Sequence, residues 1–141
     1  MPEAFLLKRT TITQRFTLGK AERLKSRKLI DRVFREGKSF SVYPFRVSYI
    51  LVPGVGVQAG FGASSRNFKK AVDRNRIKRL IREAYRLQRQ ALTDHLAEKK
   101  WSLAVFFIYT GKELPDYGTV SGQIGVALQR LIKASLKEEG R

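Results

Sequence analysis

Residues Trp101–Tyr109, WSLAVFFIY, carry no charge and are almost continuously apolar. A run of that length, rich in aromatic and branched side chains and followed by a Gly/Pro/Asp-containing stretch from Gly111 to Gly118, reads as an interior strand and then a loop. An interior strand demands a sheet around it, and the rest of the chain supplies one. Ser39–Val42 and Phe45–Pro53 are rich in aromatic and β-branched residues, and Pro53-Gly54 marks a turn after them. Val55–Ser64 then alternates Ala59, Phe61 and Ala63 with Gly60, Gly62 and Ser64, the pattern of a strand with one packed face and one nearly bare face.

Helices flank these strands. Ser26 is placed to cap one, with Ile30, Val33 and Phe34 on a single stripe and Gly37 as its stop. A long helix begins between Phe68 and Asp73 and runs to about Leu92. A last one, near Thr119–Leu136, aligns Ile124, Leu128 and Leu131. The order is α-β-β-β-α-β-α, which describes an α+β two-layer sandwich: one mixed sheet with helices packed against it. The 141 residues suffice for one domain, placed at 23–138, with a flexible basic N-terminal arm over 1–22 and a frayed tail over 139–141.

Charge is the outlying property. There are 29 Lys+Arg against 12 Asp+Glu, a net +17, whereas solubility needs only about 2–8 on a small domain. Such an excess repels itself in a compact chain and fits a polyanionic partner, nucleic acid first. The absence of cysteine excludes disulfides, thiolate catalysis and Cys-based zinc sites. The start, MPEAFLLKRTTITQRF, lacks the continuous apolar stretch of a signal peptide, and no run reaches the length of a membrane span. The expectation is a cytoplasmic protein with no membrane partner.

The cations are most organised between Phe68 and Arg86. At about 100° per residue, Ile77, Leu80, Ile81, Ala84 and Leu87 fall on one side. Asn75, Arg79, Arg82 and Arg86 fall on the other, flanked by Arg76, Lys78 and Arg89. Charged helix faces are usually just solvated. Here the outward face holds almost no acid, with Glu83 the only one near it, and most cations are Arg, whose planar fork suits bidentate phosphate contacts. Near the helix start, Arg74-Asn75-Arg76 is placed to aim backbone N–H groups at a phosphate. Pattern alone leaves RNA and DNA both open. For catalysis the chain offers little. Its acids are scattered, and His95, its sole histidine, lies in a polar segment beside Asp94 with no nucleophile, reading as a solvated residue. Gly54–Gly60 lacks the spacing and lysine of a phosphate-binding loop, and Trp101 reads as core. No catalytic side chain, metal ligand or small-molecule substrate is assigned.

The stretch Ala71-Val72-Asp73-Arg74-Asn75-Arg76-Ile77-Lys78-Arg79-Leu80-Ile81-Arg82-Glu83 resembles the bacterial ribonuclease P protein component. It matches every fixed position of that family's Ala-Val-x-Arg-Asn-Arg-x-Lys-Arg-x-x-Arg-Glu motif. Arg23-Leu24, Val33-Phe34-Arg35-Glu36-Gly37-Lys38 and the Gly-rich strand Gly60–Ser64 extend the resemblance over roughly residues 23–90. It implies a four-stranded mixed sheet with a left-handed βαβ crossover, a ribosomal protein S5 domain 2-like fold. It also implies a subunit of an enzyme whose catalyst is RNA. That RNA, with Mg²⁺ held mainly by it and by the RNA–protein interface, cuts the 5′ leader from precursor tRNA, and the protein alone is inactive.

By position, the resemblance assigns RNA binding to Arg74, Asn75, Arg76, Lys78, Arg79 and Arg82, and the neighbouring cations Arg66, Lys69, Lys70 and Arg86 are counted with them as RNA-binding. It assigns a cleft for the single-stranded leader to Ile30, Phe34, Gly60, Gly62 and Ser64. Within it Phe34 is the candidate for stacking on a base, against plain core packing. Two residues depart from the pattern: Ile30 stands where many relatives have Phe, and Ser65 precedes Arg66 where two adjacent basic residues are common. Alternation along Phe45–Val52 places Phe45, Val47, Tyr49 and Leu51 on one face and Arg46, Ser48 and Ile50 on the other, with the cleft-lining face left open.

Overall fold

The computed structural model describes residues 22–53, 56–99 and 101–139. Its elements are α1 (Arg27–Glu36), β1 (Lys38–Val42), β2 (Phe45–Pro53), β3 (Gly56–Ala63), α2 (Ala71–Gln88), α3 (Gln90–Lys99), β4 (Trp101–Tyr109) and α4 (Tyr117–Glu139). The expected order holds, with one difference: the long helix stops at Gln88, and a separate helix follows to Lys99. Arg89 sits at the joint, its N–H donating to the Tyr85 carbonyl. The bend lets α3 turn Leu92 and Leu96 into the core. Of the proposed arm, residues 1–21 lie outside the described residues, as do 140–141 of the tail.

The sheet runs β1-β2-β4-β3, with β4 inside as its apolar run requires. β1/β2 and β2/β4 are antiparallel, and β3/β4 is parallel, reached through the α2–α3 crossover. Helices lie on both sides of the sheet at β4, so both of its faces are packed. Leu103, Val105, Phe107 and Tyr109 join Phe45, Val47 and Tyr49 in the main core, under Ile77, Ile81, Tyr85, Leu96, Ile124 and Leu131 of the helices. The alternate residues Ala104 and Phe106, with Ile50, meet Leu24, Leu29, Ile30 and Val33 on the opposite face. Helix α1 therefore packs on the side of the sheet away from α2, α3 and α4.

α1 is delimited as its sequence suggests. The Ser26 hydroxyl accepts from the Leu29 N–H at 3.3 Å. Gly37 ends it for a steric reason rather than a left-handed turn: its φ is −78°, but a Cβ there would run into the carbonyl oxygens of Tyr49 and Val33. Each sheet edge carries a local contact. Arg23 bridges Ala59 beside β3, and Arg130 donates to the Ser41 carbonyl at 2.9 Å while lying over the Phe40 ring on β1.

Candidate nucleic-acid interface

The apolar stripe of α2 seats it on the sheet through Ile77, Ile81, Ala84 and Tyr85, all buried, while Leu87, placed on that stripe by periodicity, is 44% exposed. The opposite face exposes Asn75, Arg76, Arg79 and Arg82, and the segment leading into the helix exposes Arg66, Lys69 and Lys70. Among the described residues, the side chains of Arg66, Lys69, Lys70, Arg76, Lys78, Arg79 and Arg82 find no ion-pair or hydrogen-bond partner. A merely solvated helix face gains from i,i+3 and i,i+4 pairs of opposite charge. Here that pairing is confined to the end of the helix, where Arg86 binds Glu83 through Nε at 3.1 Å and through Nη2. This contact holds the Glu83 carboxyl below the usual carboxylate range and commits Arg86, which the helical projection places on the free face.

Two other cations depart from the sequence expectation. Arg89 does not flank the basic face: it is 5% exposed and faces Glu22, Nε to Oε2 at 3.1 Å. The helical wheel fails there because the helix bends at that residue. Arg74 turns back along the chain, and its Nη1 donates to the Phe68 and Lys69 carbonyls at 2.7 and 2.8 Å. It holds the approach to α2 in place. The helix also starts at Ala71, so the Arg74 N–H already bonds to the Lys70 carbonyl. Backbone donors free to face an anion thus belong to the first turn before Arg74, and Lys70 offers no side-chain cap to compete for them.

Beyond the N-terminal half of α2 opens a groove of about 660 Å³, lined by Phe34, Phe61, Gly62, Ala63, Ser64, Ser65, Arg66, Arg74, Lys78, Phe106, Ile108 and Thr110. The structure thereby brings the two sequence-derived sets together, since Arg66, Arg74 and Lys78 form one wall and Phe34, Gly62 and Ser64 contribute to the rest. Phe34 is 46% exposed and tilts against Phe106, with ring centroids 5.4 Å apart. It is not a core residue; its neighbour Val33, 1% exposed, fills that role. Phe106 went unnoticed in the sequence because an all-apolar strand gives no sign of which side chains reach the second face.

The remaining cleft candidates sort by depth. Gly62 is half-buried on the groove floor. Gly60 is buried, and a Cβ on it would lie 2.6 Å from the Phe106 ring, so its bare face makes room for that ring rather than for a ligand. The Ser64 hydroxyl accepts from the Asn67 N–H at 3.4 Å, shaping the turn into α2. Ile30 packs among the apolar residues beneath α1. The open question on β2 resolves to the Arg46, Ser48 and Ile50 face, because Phe45, Val47 and Tyr49 enter the main core.

His95 is half-buried rather than solvated, with Nε2 2.9 Å from the Ser135 hydroxyl, where it ties α3 to α4. Asp94 accepts from Gln90 at 2.7 Å, and Trp101 is partly buried against the core. Among the described residues, no three His, Cys, Asp or Glu side chains gather as a metal site.

These features define a class: a small, strongly basic α+β sandwich that sets an open cationic helix face beside an aromatic-floored groove. The chain belongs to the ribonuclease P protein family. Residues 18–133 match the family described as Ribonuclease P. The chain is 42% identical over 121 residues to the ribonuclease P protein component of Porphyromonas gingivalis, covering 82% of this chain and 87% of that one. It is 33% identical to its counterpart in Chlorobium phaeobacteroides, covering 77% and 83%. Among solved structures, the Thermotoga maritima RNase P protein superposes with a TM-score of 0.58 at 26% identity, over 77% of this chain and 96% of that one. The Staphylococcus aureus RNase P protein has the same fold, with a TM-score of 0.60 at 21% identity over 79% and 96%.

Proposed function

We propose that the chain is the protein subunit of ribonuclease P, a ribonucleoprotein endoribonuclease of tRNA processing. It binds the catalytic RNA subunit and the 5′ leader of precursor tRNA, and so promotes Mg²⁺-dependent endonucleolytic removal of the leader. The products are a mature tRNA bearing a 5′-phosphate and the released leader. The observation that carries this reading is the set of cations on and before α2 that have no partner among the described residues, on a face held rigidly outward by a buried apolar stripe. Each phosphate they neutralise releases counterions, and Arg76, Arg79 and Arg82 can each present a two-pronged fork to phosphate oxygens.

In this reading the two surfaces divide the labour. Arg76, Arg79 and Arg82 with Lys69 and Lys70 hold the structured RNA. The groove takes the single-stranded leader, with the Phe34 ring available to stack on a base and Arg66 and Lys78 along its phosphates. Arg74 supports both by fixing the segment that carries Lys69 and Lys70. Mg²⁺, held mainly by the RNA subunit and the RNA–protein interface, would supply charge neutralisation and activate the attacking water. No helix among the described residues is long and apolar enough to cross a membrane, and the cytoplasm is the proposed site of action.

Reconstitution tests the proposal. The purified protein should cleave nothing, and adding the cognate RNA with Mg²⁺ should yield cleavage at the mature 5′ end of a leader-bearing precursor tRNA. RNA-independent cleavage that survives rigorous nuclease removal would overturn it.

A further inference from the structure

The sheet register carries the floor of the groove beside α2 further across the strands. On the α1 side of the sheet, side chains stand in rows across the strands. Ile50 and Ala104 form one row, and it is covered by α1. Ser39, Ser48, Phe106 and Gly60 form the next, and Phe34 of α1 reaches over it to touch Phe106. The row after that is Ser41, Arg46, Ile108 and Gly62. Gly62 and Ile108 are already groove floor. Arg46 lies two strands beyond Gly62, roughly 10 Å away at ordinary strand spacing.

Arg46 is exposed, while its neighbours Phe45 and Val47 are fully buried on the other face. Among the described residues, none makes an ion pair or hydrogen bond with its guanidinium. No acid shares its row. A central-face position in a sheet is an unusual place for an unpaired cation, since strand faces favour β-branched and aromatic side chains. It gives nothing to the core, and it stands in line with the open floor rather than under a helix.

We propose that Arg46 is a phosphate-binding residue at the far side of the groove, so that the bound strand of RNA crosses the sheet from the Arg66/Lys78 wall, past Phe34 and over Ile108, to Arg46. This rests on the reading of the groove as the leader site and adds to it a direction and a second cationic bank. The leader is then held by positive charge at both ends of an apolar floor. A phosphate between them would be gripped only when the leader is long enough to reach Arg46.

The test uses the reconstituted holoenzyme and precursor tRNAs whose leaders are shortened stepwise. Arg46→Gln should weaken binding of the long-leader substrate roughly three- to five-fold, as expected for an exposed ionic contact. It should flatten the salt dependence by about 0.7 in log–log slope, the value for one single-stranded phosphate. The shortest leader and the catalytic RNA should bind as before, and Arg46→Lys should recover most of the loss. Equal losses on every leader length, or none on the longest, would overturn the assignment. Phe34→Ala run alongside separates the two levels of the argument. Leader-length dependence with Phe34→Ala but not with Arg46→Gln refutes the second bank alone, whereas its absence from both refutes the leader groove itself.

Discussion

Replacing Phe34 by alanine sets a packing loss against a recognition loss, and the structure fixes the scale of each. A phenylalanine buries about 150–250 Å² when fully enclosed. Phe34 is 46% exposed, so about half of that area is hidden, mainly against Phe106. At ~25 cal/mol per Å² the hidden half is worth about 2.5 kcal/mol, and a compact unfolded reference trims it to about 2 kcal/mol. A domain with about 5–15 kcal/mol of stability survives that loss, whereas truncating a fully buried Phe would cost about 3–5 kcal/mol. A base stacked on the exposed part of the ring is worth about 1–3 kcal/mol, or roughly five- to 150-fold in affinity. Thermal melting of Phe34→Ala should therefore show a modestly lowered but cooperative transition. Equilibrium binding by the holoenzyme should show a penalty for long-leader precursor tRNA only. Phe34→Leu refines the comparison, since it keeps most of the packing and loses the aromatic face: it should melt near wild type yet bind the long leader poorly. Equal penalties on long and minimal leaders, or a Phe34→Leu variant that binds like wild type, would refute stacking.

Arg79→Ala and Arg82→Ala should each leave the melting temperature nearly unchanged, because exposed substitutions usually cost within about 0.5 kcal/mol, while weakening catalytic-RNA binding and reducing its salt slope by about one unit; unchanged affinity and slope in both would make the face merely solvated. Glu22→Ala, which removes the carboxylate facing buried Arg89, should destabilise by about 2–3 kcal/mol, against under ~1 kcal/mol for removing Glu36 from its exposed contact with Arg32. Similar small shifts for the two in chemical denaturation would mean that burial of Arg89 confers no special weight on its partner. Asp116 accepts from the Thr119 N–H at the start of α4, which holds its carboxyl below the usual aspartate range. A lowered folded pKa gives stability that is present above the unfolded value and disappears as pH falls through the folded one. The melting difference between wild type and Asp116→Ala should thus be visible at neutral pH and vanish in acid, and a difference that persists at the lowest pH would show that the cap is not ionic.

Much of this was legible in the residues. The uncharged run in β4 announced an interior strand, and the 3.6-residue period of α2 separated a seated stripe from a cationic one. Periodicity does not report which partners a side chain meets in three dimensions, and the misplacements share that cause. Arg89 was projected outward by a wheel that assumes a straight helix. Arg86 and Arg74 were counted as free cations, yet one is held by Glu83 and the other by backbone carbonyls upstream of its own helix. Phe106 gave no sign of being a groove residue, and the face of β2 that carries Arg46 stayed open, for a related reason: only the strand register, together with the side of the sheet that α1 occupies, says which alternate residues are left uncovered.

The position of β4 in the sheet has a consequence for how the protein comes into being. β4 is the last strand to be synthesised, yet it alone joins the β1–β2 hairpin to β3. Until residues 101–109 have emerged from the ribosome, neither piece can reach its neighbour, and the sheet has no centre. Helix α2, with its row of arginines, emerges before that strand, when β3 is in place for its apolar stripe but α4, its other packing partner, is still to come. A nascent chain in this state exposes basic and apolar groups together, in an environment crowded with RNA. Completion of the fold is therefore a post-β4 event, a late and non-local closure rather than a stepwise one.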